Sequence, residues 1–220
     1  MSSLPGTPAP GPATIGGSVR ITIDGQTTRA PLGSSLLDAA RSLGIAIPTF
    51  CSHPEVCASG ACRVCVVEVE GHPSLEAACT WKVTGPVVVR TATDRVKAAR
   101  REVLALMMAS HDADCARCGV HGRCDLERLA NEYGAAGVYP RRPLPIAAVS
   151  SARLDASKCV LCRRCTATMG DLGITGVLEM AGRGQGTYLK VFPDRLSQPA
   201  AAEAFARAAS RCPTGALKPV

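Results

Sequence analysis

Twelve cysteines fall in a chain of 220 residues, and eleven of them, with one histidine, sort into three sets of four. The first set is Cys51, Cys62, Cys65 and Cys79, spaced C-x10-C-x2-C-x13-C. The second is His111, Cys115, Cys118 and Cys124, spaced H-x3-C-x2-C-x5-C. The third is Cys159, Cys162 and Cys165 with the remote Cys212, and Cys57 is left over. Close-set cysteine pairs in a chain with no evident secretory leader read as metal ligands rather than disulfides. Aromatic residues make up only 3% of the chain, and small domains with thin cores commonly rely on metal centres or disulfides. The cysteine frame therefore constrains the fold more tightly than the apolar pattern does.

Each set has the order of an iron–sulfur ligand set. The third begins like the C-x2-C-x2-C-x3-C-P run of bacterial ferredoxins, but Met169 stands where the fourth cysteine of that run belongs. The remote Cys212-Pro213 completes the set instead, giving one [4Fe–4S] site. Zinc sites usually pair two Cys-x2-Cys hooks, which this triple hook does not resemble. The first set keeps the plant-type order of one cysteine, a glycine-containing loop, a tight pair and a distant cysteine, with a longer first gap. It reads as a [2Fe–2S] site, with Gly60 letting backbone N–H groups approach the sulfurs. Cys57 lies inside the long loop and is an alternative to Cys51. His53 and His72 read as structural or surface residues. The second set fits a cluster and structural zinc equally well, and His121 competes with His111 for its nitrogen position.

Composition limits the function classes. The formal charge is +7, but it counts every cysteine as neutral, and metal ligation deprotonates thiols. Oxidised cores of about 2+ leave each all-cysteine site near about −2 and the histidine site near about −1, so the loaded chain carries about +2. That is no nucleic-acid signature. Met1-Ser2-Ser3-Leu4-Pro5-Gly6 opens without an apolar signal region, and Arg141-Arg142 lies mid-chain, away from any export signal. No apolar run approaches the length of a membrane span. The expectation is a cytoplasmic chain without direct membrane insertion.

The local patterns predict an α+β chain. Residues 1–17, rich in Pro, Gly, Ala, Ser and Thr, read as a disordered tail. Val19 to Ile23 alternates as a strand, Asp24-Gly25 is a hairpin turn, and a second strand is expected at Thr27 to Ala30. Ser35 caps a helix over Leu36, Leu37, Ala40 and Leu43 that Gly44 stops. Strands follow at Arg63 to Val69 and Val87 to Val89. These elements make one sheet domain over 18–92. Asp94 is expected to cap a helix reaching Ala109, with Val96, Ala99, Val103, Leu106 and Met107 inward. A short helix after Cys124, ended by Gly134, completes a unit over 93–134. Residues 135–153, with Pro140, Pro143 and Pro145, read as a linker. The unit over 154–220 holds a strand at Thr187 to Phe192 and a helix from Pro199 to Arg211. Gly182-Arg183-Gly184-Gln185-Gly186 does not fit G-x-G-x-x-G and reads as a turn.

The order of the three sets resembles one group of electron-transfer proteins. These are the N-terminal region of the large iron–sulfur subunit of respiratory complex I, the matching region of NAD-dependent formate dehydrogenases, and the short diaphorase subunit of NAD-reducing nickel–iron hydrogenases. Local runs carry the resemblance as well: Cys51-Ser52-His53-Pro54, Gly60-Ala61-Cys62-Arg63-Val64-Cys65, Gly122-Arg123-Cys124-Asp125-Leu126, and Cys212-Pro213-Thr214-Gly215-Ala216-Leu217. The resemblance spans about residues 18–220. It implies a β-grasp, [2Fe–2S] ferredoxin-like domain, a small helical His/Cys3 domain and a C-terminal ferredoxin-like [4Fe–4S] domain. It also implies that the second set holds a [4Fe–4S] cluster with His111 as a ligand. Complex I and the formate dehydrogenases continue into a large molybdopterin-type domain, so the hydrogenase diaphorase subunit is the expected type. The implied partners are a flavin- and NAD(P)-binding iron–sulfur subunit and the small and large hydrogenase subunits. The chain itself shows no dinucleotide fingerprint, P-loop or nucleophile triad, so a zinc-stapled interaction module is the contrasting expectation.

A neutral imidazole at His111 leaves its site one negative charge short of an all-cysteine site, which raises a cluster's potential. A His111→Cys variant that assembles its cluster should therefore show a lower midpoint in a redox titration. An equal or higher midpoint refutes the charge explanation.

Overall fold

Two short strands joined by Asp24-Gly25 begin the fold. β1 (Ser18–Ile23) and β2 (Gln26–Pro31) pair antiparallel from Ser18↔Pro31 to Ile23↔Gln26. Asp24 and Gly25 both take left-handed φ, 48° and 81°, as a tight two-residue hairpin turn demands. The computed structural model describes residues 16–111, 114–140, 142–144 and 151–219. Most of the expected N-terminal tail, and residues 141 and 145–150 of the expected linker, lie outside the described residues.

Ser35 caps α1 (Leu36–Ser42), its hydroxyl oxygen accepting from the Asp38 N–H at 3.1 Å. Leu36, Leu37, Ala39 and Ala40 are buried, and Gly44 ends the helix at φ 72°. β3 (Val66–Val69), β4 (Leu75–Ala77) and β5 (Val87–Arg90) then complete a five-stranded sheet in the order β2-β1-β5-β3-β4. β1 and β5 run parallel at its centre, and the other pairs are antiparallel. This is the β-grasp arrangement of a [2Fe–2S] ferredoxin-like domain. The strand expected from Arg63 starts only at Val66, because Arg63 sits at φ 56° and the chain is still turning at Cys65. β4 escapes a sequence reading because Leu-Glu-Ala carries little β preference.

α2 (Asp94–Ala109) is capped by Thr93, whose Oγ1 accepts from the Val96 N–H at 3.2 Å, rather than by Asp94. Its buried face is also turned from the expected one. Val96, Arg100, Leu104 and Met108 lie inside at intervals of four, while Leu106 is 45% exposed. Arg100 causes the turn. Its guanidinium donates to Val66 O at 2.9 Å and to the Tyr133 hydroxyl at 3.1 Å, drawing that side of the helix onto the sheet. α3 (Asp125–Glu132) buries Leu126, Leu129 and Ala130 in the core that also holds the sheet, α1 and α2.

A second core lies in the C-terminal part. α4 (Arg164–Asp171), β6 (Leu178–Ala181), β7 (Tyr188–Val191) and α5 (Pro199–Ser210) enclose Leu154, Met169, Val177, Leu189 and Phe205. β6 and β7 form a hairpin through the glycine run, where a Cβ on Gly182 would lie 2.0 Å from Gly186 O. Pro199 opens α5 as its first residue. The chain before the third cysteine set pairs with the chain after it, Asp155 N–H donating to Ala216 O at 2.8 Å.

Two substitutions separate the expected from the observed face and cap of α2. Thr93→Ala should cost about 1 kcal/mol in chemical denaturation. Leu106→Ala should change stability by under about 0.5 kcal/mol, as at an ordinary surface position.

Candidate metal centres

The first site grows out of backbone rather than side-chain packing. Phe50 N–H donates to Cys62 Sγ at 3.4 Å, and the N–H of Val64 reaches the same sulfur. The N–H of Cys62 reaches Cys51. These bonds need a chain that doubles back, and Gly60 and Arg63 supply left-handed φ of 66° and 56°. A Cβ on Gly60 would meet Thr80 Cγ2 at 3.1 Å. Cys79 is held from the other side. Leu36 N–H and Leu37 N–H, at the start of α1, donate to Trp81 O (3.1 Å) and Ala78 O (2.9 Å) on either side of it.

All four sulfur-bearing residues of this set are buried. Cys51 Sγ lies 3.4 Å from Cys62 Sγ and 4.0 Å from Cys79 Sγ. Two thiolates on one tetrahedral metal, with bonds near about 2.3 Å, sit about 3.8 Å apart, so the spacing suits metal-bound sulfur. Hydrogen bonds from Cys62 and Cys79 push the Cys51 thiol far below its ordinary value, and a bond from Cys79 lowers Cys65 to about 7. Cys62 and Cys79, as the donors, are raised. Metal ligation takes the proton from every thiol that binds.

The third set lines one cavity, with Cys159, Cys162, Cys165 and Cys212 among walls that include Val160, Leu161, Met180 and Leu189. Met169 packs in the C-terminal core and does not line it. Leu161 and Arg163 take left-handed φ of 54° and 63°, and such alternation turns successive N–H groups into one concavity. The N–H groups of Leu161, Arg164 and Thr166 accordingly reach the sulfurs of Cys159, Cys162 and Cys165. Burial pushes the Cys159 thiol up to about 12 and Cys162 to about 11, and raises Cys165 further. An apolar, N–H-lined hollow with four sulfurs fits an anionic thiolate-bound cluster.

The second set is more open. His111 follows α2 and is 5% exposed; Cys115 starts a 3-10 turn, Cys118 follows it, and Cys124 immediately precedes α3. The N–H groups of Leu126 and Glu127 reach the Cys124 sulfur. The neighbouring cavity takes in Cys115 but not the other three. His121, the competing histidine, is 58% exposed and its Nδ1 lies 2.8 Å from Glu127 Oε1. It is engaged at the surface while His111 lies inside. Among the described residues no three His, Cys, Asp or Glu side chains converge closely enough for a single metal ion. His53 Nδ1 accepts from Glu55 N–H at 3.3 Å, and Cys57 is exposed.

The first and third sites are neighbours. Cys162 packs into the same core as Cys51 and Cys62. Gly215, beyond Cys212, lies against Val120 of the second site's loop, where a Cβ would stand 2.7 Å from Val120 Cγ1. Sequence reasoning missed Arg164 and Asp171, which act across these boundaries. Their partners lie 47 to 114 residues away in the chain, so no local pattern marks them.

Residues 16–94 match the family described as 2Fe-2S iron-sulfur cluster binding domain, and residues 100–138 match the NADH-ubiquinone oxidoreductase-G iron-sulfur binding region. A chain in the crystal structure of NAD+-reducing [NiFe]-hydrogenase in the H2-reduced state superposes with a TM-score of 0.79 at 31% identity, over 92% of this chain and 87% of that one. The chain belongs to this family of iron–sulfur electron-transfer subunits. Other members are longer. NADP-reducing hydrogenase subunit HndD of Solidesulfovibrio fructosivorans is 38% identical over 211 residues, which is 90% of this chain and 35% of HndD. The mitochondrial NADH-ubiquinone oxidoreductase 78 kDa subunit of Candida albicans is 31% identical over 205 residues, 90% of this chain and 28% of that protein. Family membership places a 2Fe-2S cluster in the β-grasp domain and a 4Fe-4S binding region after it. No helix among the described residues is long and apolar enough to cross a membrane.

The leftover cysteine gives a clean discrimination. Cys51→Ser should remove or reshape the reduced [2Fe–2S] signal and lower bound iron by up to about two atoms. Cys57→Ser should leave both unchanged, as read by paramagnetic resonance and iron analysis.

Proposed function

We propose that the chain is a three-cluster electron relay in a multi-subunit, NAD(P)-linked hydrogenase of the cytoplasm. Cys51, Cys62, Cys65 and Cys79 hold a [2Fe–2S] cluster. His111, Cys115, Cys118 and Cys124 hold one [4Fe–4S] cluster, and Cys159, Cys162, Cys165 and Cys212 hold a second. The units are 18–92, 93–134 and 154–220, with a tail over 1–17 and a linker over 135–153. The neighbours in the complex are a flavin- and NAD(P)-binding iron–sulfur subunit and the small and large hydrogenase subunits.

The likeness to the hydrogenase chain carries this reading, because it runs nearly the whole length of both chains. When bound, iron–sulfur clusters supply one-electron donors and acceptors whose potentials follow net charge, hydrogen bonds to sulfur and exposure. This chain's residues set those terms. The Phe50, Val64, Leu161 and Arg164 N–H groups stabilise negative sulfur. Val160, Leu161, Met180 and Leu189 wall the third site with apolar surface. His111 keeps one ligand neutral. Hydride and flavin chemistry falls to a partner, since the sequence carries no nucleotide motif and such chemistry resides where the cofactor binds. The similarity to the NADH-ubiquinone oxidoreductase 78 kDa subunit favours a second reading, the same relay in a complex I-like enzyme.

Anaerobic purification from the native host with its partners tests both. The expected preparation holds about ten irons per chain and shows paramagnetic signals on reduction, with a nickel-containing subunit bound. A membrane arm in place of nickel selects the complex I-like reading. A colourless, zinc-loaded chain removes the relay altogether.

A further inference from the structure

Arg164 is 8% exposed and lies between the first and third cysteine sets. Its guanidinium makes three hydrogen bonds, all to carbonyl oxygens. Nε donates to Phe50 O at 2.7 Å and Nη2 to Ser52 O at 3.1 Å, the two residues that flank Cys51. Nη1 donates to Arg211 O at 3.0 Å, the residue before Cys212. Arg164 itself stands between Cys162 and Cys165. One planar fork therefore ties the loop of the first site to both halves of the third. Two further contacts follow the same seam: Arg211 pairs with Glu55, and Cys57 N–H donates to Asp171 Oδ2 at 3.1 Å.

Among the described residues Arg164 has no carboxylate within ion-pair distance. A buried cation without a counter-ion is costly, and carbonyl dipoles offset only part of that cost. The missing negative charge is supplied on both sides once the thiolates are metallated, each all-cysteine site then carrying about −2.

We propose that Arg164 is a positioning residue and shared counter-charge for the first and third clusters, holding their loops together and raising both potentials. The proposal rests on the cluster reading of those two sites. A fixed cation stabilises the more negative, reduced state of each cluster, so its removal lowers both midpoints, while the second site lies outside its hydrogen bonds.

The test is a redox titration of the full-length, cluster-loaded chain, followed by paramagnetic resonance, in wild type, R164Q and R164K. R164Q should lower the midpoints of the [2Fe–2S] cluster and the Cys159-set cluster together and leave the His111-set cluster in place. R164K keeps the charge but cannot span three carbonyls with one planar fork. It should hold both midpoints near wild type and weaken the relaxation of the reduced [2Fe–2S] signal by the reduced neighbouring cluster. Midpoints unmoved in R164Q, or a shift in one cluster alone, overturn the shared-charge role. Should R164Q fail to load, unchanged relaxation in R164K overturns the clamp. A wild-type chain lacking paramagnetic signals from these two sites sinks the cluster reading itself, which separates the two failures.

Discussion

Cys51 Sγ stands 3.4 Å from Cys62 Sγ and 4.0 Å from Cys79 Sγ, a crowding of thiols that is unfavourable unless something binds them. The chain spends much of its backbone conformational freedom on creating this crowding. Gly60, Arg63, Leu161 and Arg163 all adopt left-handed φ, and three of the four are residues with side chains that disfavour it. Such strain persists only where the surroundings over-determine it. Here the surroundings are N–H groups aimed at sulfur and apolar walls that keep water away. Both are worth most when the sulfur is negative, because hydrogen bonds to charged acceptors are the stronger ones. The thiolate state of the cysteines is thus the condition that makes the loop conformations favourable.

The secondary structure follows from anchoring those loops. The long loop bearing Cys51, Cys62 and Cys65 leads into β3, and Cys79 lies beyond β4, tied back to the N-terminal turn of α1 by Ala78 O and Trp81 O. The β-grasp sheet therefore serves as a rigid frame from which one buried edge grips a cluster. The C-terminal part solves the same problem with less. A two-stranded hairpin and two helices, with Phe205 as the one large aromatic of the core, back the loop whose cysteines line the third cavity.

Much of this was legible in the residues, for identifiable reasons. The hairpin at Asp24-Gly25, the Ser35 cap, the Pro199 helix start and the glycine turn near Gly182 are all local rules, settled within a few residues of chain. The cysteine spacings are local for the tight pairs, while the approach of Cys79 to Cys51 and the place of Cys212 in the third cavity are set by the tertiary fold. Three of the failures share one cause. Arg63 to Cys65 has strand composition but bends because the cluster loop requires it. Arg100 carries a charge that reads as solvent-facing, yet its bonds to Val66 O and Tyr133 draw that side of α2 inward. Arg164 looks like a surface residue in a basic run, and its three acceptors come from two distant loops. In each case a tertiary polar contact overrides a local preference, and sequence periodicity holds no record of such contacts.

The buried arginines also explain the charge balance. A formal +7 on a chain with no nucleic-acid pattern is an excess if cysteines count as neutral. Arg100 and Arg164 place part of that excess inside, where a solvent-facing role is impossible. Arg100 reaches a strand carbonyl and a tyrosine, so it acts as a packing element with a polar end. Arg164 reaches only carbonyls and stands between two thiolate sets, so its charge has no purpose until those sets are anionic. That one side chain closes the seam between the loops of the first and third sites.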